Sequence, residues 1–85
     1  MLHIFNKPLS HYQLHQLIIA PDDKLLLLSD ACYSVNCYID AFCQNTLYAL
    51  DVDMKARAVS NEKIITISDQ QWVELIVDSE QHITW

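Results

Sequence analysis

The side chains best suited to chemistry in this 85-residue chain are three thiols, Cys32, Cys37 and Cys43. A thiolate is the nucleophile of thiol–disulfide and persulfide exchange, so the question is which thiol the chain could activate. Cys32 stands out. It follows Leu25-Leu26-Leu27-Leu28-Ser29-Asp30, which reads as a buried strand closed by a polar pair. That order places Cys32 just past a strand's carboxyl end and at a helix N-terminus, where the helix dipole favours thiolate. The alternative is a small buried apolar residue, the usual fate of a free cysteine. Cys37 is expected to be exposed and without a role, and Cys43 to pack on a helix flank. The spacing is neither C-x-x-C nor a zinc-ribbon pattern, and an odd count argues against a disulfide framework.

Two further constellations are weaker. His11 and His15 are i, i+4 on one expected helix, a spacing that can ligate zinc. The metalloprotease pattern needs Glu after the first His, and Tyr12 stands there. No third ligand cluster is visible, so the reading is no metal. Asp30, Asp51 and Asp53 gather at strand ends and could do acid–base work, but helix capping accounts for them more simply. Trp72, Tyr48 and Trp85 read as core or interface anchors.

The elements that must position these groups can be read in order. Met1 to Phe5 is a first strand, ended by Asn6-Lys7-Pro8. Ser10 can cap a helix over about His11 to Ile19, with Leu14, Leu17 and Ile18 on one face. Pro21-Asp22-Asp23 breaks it. The four leucines Leu25 to Leu28 do not alternate with polar residues, so both faces of their strand should be buried, as in the centre of a parallel sheet. Cys32 to Cys43 reads as a second helix, with Val35, Tyr38, Ile39 and Phe42 on its apolar stripe and Asp30 as a cap. Thr46 to Leu50 is a third strand. Asp53 can cap a short helix through Met54, Ala58 and Val59. Lys63 to Ile67 is a fourth strand, rich in β-branched residues. Ser68-Asp69-Gln70-Gln71 matches a capping box, so a helix with Trp72, Leu75 and Ile76 inward should begin there. His82 to Trp85 can add a last short strand. The alternation predicts an α/β fold: a three-layer sandwich on a mainly parallel sheet of four or five strands, one domain over residues 1–85.

Bulk properties narrow the function. The net charge is −6 at pH 7, which offers no electrostatic footprint for phosphates, so neither direct nucleic-acid binding nor attachment to an anionic membrane is expected. There is no glycine, which excludes a P-loop or dinucleotide fingerprint, and no cofactor is expected. No apolar run has the length of a membrane span, and Met1-Leu2-His3-Ile4-Phe5 is too short for a signal peptide, so the expectation is a cytoplasmic protein. Yet 52% of the chain is hydrophobic, more than so small a domain comfortably buries, which points to surface covered by a partner chain.

Met1-Leu2-His3, the Leu25–Asp30 run, Tyr48-Ala49-Leu50 followed by Asp53 and Ala56-Arg57, and the closing Trp85 together resemble the TusB/DsrH family, over essentially the whole chain. The resemblance implies a DsrEFH-like fold and the small subunit of a cytosolic sulfur-relay complex. Its partners would be two sister subunits of TusC/TusD (DsrF/DsrE) type in a heterohexamer. Upstream and downstream persulfide carriers would act on that complex, whose sulfur goes toward 2-thiolation of wobble uridine in tRNA. In the DsrEFH version sulfur flows in oxidative sulfur metabolism instead. The resemblance puts the persulfide-bearing cysteine on a sister subunit, making this chain structural; the alternative is an active sulfurtransferase carrying persulfide on Cys32. A stand-alone binding domain is a third reading. Family members commonly carry glycine where this chain has Ala31 and Ala58, so those turns must avoid positive φ or bear strain.

Overall fold

The computed structural model describes residues 1–13 and 19–85. Five strands form one sheet: β1 (Leu2–Phe5), β2 (Lys24–Leu27), β3 (Thr46–Leu50), β4 (Ile65–Ile67) and β5 (His82–Thr84). Their order is β4-β3-β2-β1-β5, and every pairing is parallel. The leucine strand β2 therefore lies in the middle, with Leu25 opposite His3 on one side and Leu47 on the other. Among the described residues three α-helices accompany the sheet: α1 (Val35–Ala41), α2 (Asp51–Ala56) and α3 (Asp69–Asp78). Two 3-10 segments, Leu9–His11 and Ser29–Ser34, complete the regular structure among those same described residues.

The period-2 alternation of side chains splits the core into two layers. On one face Phe5, Leu25, Leu27, Leu47 and Ala49 pack with Leu9, Val35, Tyr38 and Met54, which come from the connections after β1, β2 and β3. On the other face Leu2, Ile4, Leu26, Leu50 and Ile67 meet Trp72, Leu75 and Ile76 of α3. Three successive crossovers share one side, and the long return from β4 to β5 takes the opposite one. That is the arrangement right-handed crossovers dictate when the first three connections step one way along the sheet and the last steps back. Leu25, Leu26 and Leu27 are fully buried. Each such leucine contributes roughly 1.5–3 kcal/mol relative to exposure.

Several local expectations are corrected. Leu28 is only half-buried, because β2 ends at Leu27 and Leu28 leads into the 3-10 segment. The expected helix over Cys32–Cys43 is split: Cys32 to Ser34 are 3-10, the α-helix runs Val35–Ala41, and Phe42 closes it. Its apolar stripe holds, with Val35 and Tyr38 buried and Ile39 and Phe42 packed against the same layer. The helix expected from His11 does not start there, since His11 ends a 3-10 turn and Tyr12 is extended. The remainder of that expectation, including Leu14, His15, Leu17 and Ile18, lies outside the described residues. The helix after β3 begins at Asp51, so Asp53 sits within its first turn and is not its N-cap, and it ends at Ala56, before Ala58 and Val59. The fourth strand is shorter than expected, Ile65–Ile67.

The capping box forms as its residues predict. Gln71 N–H donates to Ser68 Oγ at 3.2 Å, and Ser68 N–H donates to Gln71 Oε1 at 2.9 Å. It sets the start of α3 at Asp69. Among the described residues no helix is long and apolar enough to cross a membrane.

Candidate functional site

The carboxyl ends of β2 and β3 lie side by side, which is where open α/β sheets gather functional groups. The sequence does so here with a strained turn. Ser29, two residues past the end of β2, takes φ 53°, a left-handed conformation unfavourable for a residue with a Cβ. What holds it is Asp53: the Ser29 N–H donates to Asp53 Oδ2 at 2.8 Å. Arg57, just past α2, then ties the two strand ends together. Its Nη2 donates to Asp30 Oδ1 at 3.1 Å and to Ser29 Oγ at 3.3 Å, and its Nη1 to the Asp53 carbonyl at 3.3 Å. The Tyr33 ring lies against the guanidinium, 5.5 Å from its centroid, within cation–π range. The Asp30 hydrogen bond, foremost, holds the guanidinium pKa above its ordinary value. Asp30 thus serves as an ion-pair partner, with no side-chain capping bond at the 3-10 segment or at α1.

Cys32 lies beneath this clamp. It is fully buried, and its Sγ sits 3.8 Å from the Leu27 carbonyl. Burial, followed by the Asp53 charge, pushes its thiol up to about 11, against a smaller opposing effect of Arg57. The sequence argument for a helix-terminal thiolate fails on geometry. Cys32 is inside a 3-10 segment, packed against Phe5, Leu27 and their neighbours, with two carboxylates nearby. Desolvation disfavours the charged form there. Cys37 is exposed, as expected, and Cys43 is exposed rather than packed, because the helix stops short of it and the chain turns.

The other constellations separate. His11 is exposed, its Nε2 3.4 Å from Lys7 Nζ. Among the described residues no three His, Cys, Asp or Glu side chains stand together as metal ligands would. Asp51 pairs with Lys55 at 2.9 Å on the surface of α2. Asp30 and Asp53 meet on Arg57, a partner that capping arguments did not bring into view.

A second polar group went unread. His3 is the one polar residue of the buried strand Leu2-His3-Ile4-Phe5 and is itself 1% exposed. Its Nε2 meets Asp23 Oδ2 at 2.8 Å, and its Nδ1 receives the Trp85 indole N–H at 3.0 Å. Indole N–H only donates, so Nδ1 carries the lone pair and Nε2 carries the proton given to Asp23. The His3 bond, first among several, lowers the Asp23 carboxyl from 3.8 to about 2. Trp85 also stacks at 6.5 Å on Phe5, and its carbonyl accepts from Tyr12 Oη at 3.2 Å. The available signal was a histidine within an otherwise apolar strand, since a buried polar group demands a partner.

The turns at the two alanines differ. Ala31 is buried within the 3-10 segment, and the positive φ falls on Ser29 instead; Ala58 takes φ 54°. One of the two turns therefore bears its strain on the alanine, as the absence of glycine foretold.

Comparison with known proteins gives one assignment. Residues 8–82 match the family described as DsrH like protein. A comparison with curated proteins finds no match. The match takes in β2, β3, β4, all three helices and the Ser29–Asp53–Arg57 clamp, and so the chain belongs to the DsrH-like family, which associates it with sulfur relay.

Proposed function

We propose that this chain is a structural subunit of a cytoplasmic sulfur-relay complex and carries no sulfur itself. Two sister subunits of TusC/TusD (DsrF/DsrE) type would be its partners. The complex would take persulfide from an upstream carrier and pass it toward 2-thiolation of tRNA wobble uridine. The observation that carries the reading is the state of Cys32. A relay thiol must be exposed and largely thiolate near neutral pH, because the thiolate attacks and the persulfide must reach the next carrier. Cys32 is fully buried and its thiol is pushed up to about 11. Cys37 and Cys43 are exposed, but neither sits in the clamp at the strand ends. That clamp satisfies its charges internally, with Arg57 held between Asp30 and Asp53. It stiffens the site and leaves no free cation to activate a thiol.

The test is transfer of labelled sulfur through the reconstituted complex with Cys32→Ser, alone and with Cys37→Ser and Cys43→Ser. Near-normal transfer with intact assembly is the expected result. Loss of transfer with assembly unchanged would make Cys32 a carrier and overturn the structural reading.

A further inference from the structure

The two faces of the sheet are covered unequally. Among the described residues three connections pack on one face, whereas α3 alone covers the other. Five strands span roughly 19 Å across the sheet, and one helix with its side chains is about 10 Å wide, so α3 shields only about half of that face. The structure shows the consequence. No residue of α3 is buried. The Trp72 indole N–H is enclosed without an acceptor, which marks an incompletely satisfied seat. On the same sheet face Ile65, 49% exposed, stands directly opposite half-buried Tyr48 at the β4 edge.

The outer side of α3 has a definite chemistry. Val73 and Val77 are 59% and 76% exposed, and being i, i+4 they form one stripe. Glu74 and Asp78 form a second stripe beside it, at the same spacing and also exposed. Between Ser68 and Gln81 the chain carries Asp69, Glu74, Asp78 and Glu80 and not one Lys or Arg. Two exposed valines one turn apart, flanked by carboxylates with no Lys or Arg beside them, match a partner that is apolar along one stripe and basic next to it.

We infer that the outer face of α3 is a protein-docking surface, whose partner presents an apolar stripe bordered by Lys or Arg. Val73 and Val77 supply the buried contact. Glu74 and Asp78 pair with the partner's cations, setting register and speeding encounter. The inference rests on the subunit reading above, in which that partner is a sister subunit.

The experiment is co-expression of the full chain with its two sister subunits, followed by size-exclusion chromatography with light scattering and a Kd measurement at low and high salt. Three variants are compared with wild type: Val73→Asp with Val77→Asp, Glu74→Lys with Asp78→Lys, and Val52→Asp. Val52 is 57% exposed on α2, across the sheet from α3. The valine pair should weaken association at least tenfold, with the isolated chain's circular dichroism unchanged. The charge reversal should weaken it mainly at low salt, and Val52→Asp should leave it unaltered. Wild-type assembly that all three variants retain would overturn the α3 assignment while leaving the subunit reading in place, and so would loss confined to Val52→Asp. Failure of the wild-type chain to assemble would overturn both.

Discussion

Replacing Asp23 by Asn tests the part-buried His3–Asp23–Trp85 group through its pH dependence. The carboxylate accepts from His3 Nε2 at 2.8 Å and from the Ala20 N–H at 3.0 Å, and its side chain is 13% exposed. Those bonds favour the charged form, and the pKa falls from 3.8 in the unfolded chain to about 2 in the folded one. A depressed acid pKa gives stability that is fully present above the unfolded value and is lost as pH falls through the folded one. At ~1.4 kcal/mol per pKa unit, the group contributes about 2 kcal/mol at neutral pH. Asp23→Asn keeps the shape but removes the charge and turns an amide donor toward other donors. The variant should therefore be about 2 kcal/mol less stable at pH 7, with the gap closing between pH 4 and pH 2. Urea unfolding of both proteins at pH 7, 4 and 2.5, followed by Trp fluorescence, gives the difference directly. A gap that stays constant across this range, or is absent at pH 7, would refute the assignment of the charged Asp23 to the folded state's polar core.

Two further outcomes follow from the site. Ala58→Gly should raise stability by roughly 1 kcal/mol in thermal or urea unfolding, because φ 54° suits glycine and strains alanine; an unchanged or lower stability would show that the turn bears no such strain. Alkylation of the native protein with iodoacetamide at pH 8, read by peptide mass spectrometry, should label Cys37 and Cys43 and spare Cys32 until denaturant is added. Equal labelling of all three in the native state would contradict the burial and raised pKa of Cys32.

The sequence by itself determined what depends on neighbours along the chain. The unbroken run Leu25 to Leu28 implies burial on both faces, and β2 lies at the middle of the sheet with Leu25 to Leu27 enclosed, while Leu28, past the strand's end, is only half-buried. Thr46–Leu50 forms β3 with the bounds its composition indicates, and Ser68 with Gln71 starts α3 through a local pair of hydrogen bonds. The stripe Val35, Tyr38, Ile39 and Phe42 names the inner side of α1 whichever turn the helix starts on. Strand–helix alternation then leaves little choice but a parallel sheet, since parallel neighbours need crossovers.

Only the tertiary structure decided the rest, because the decisive contacts join residues far apart in sequence. Whether Cys32 is a thiolate at a helix end or a buried thiol depends on the packing around a 3-10 segment and on the charge of Asp53, and no local pattern reports either. Arg57 reaches back to Asp30 and Ser29 only because β2 and β3 are adjacent and end at the same level. His3 meets Trp85 across nearly the whole chain because β5 returns to pair with β1. That return also leaves α3, among the described residues, as the sole cover of one sheet face. Local sequence sets which segments become strands and helices, whereas charge pairing, burial of a thiol and exposure of a helix face are properties of the order in which those segments lie side by side.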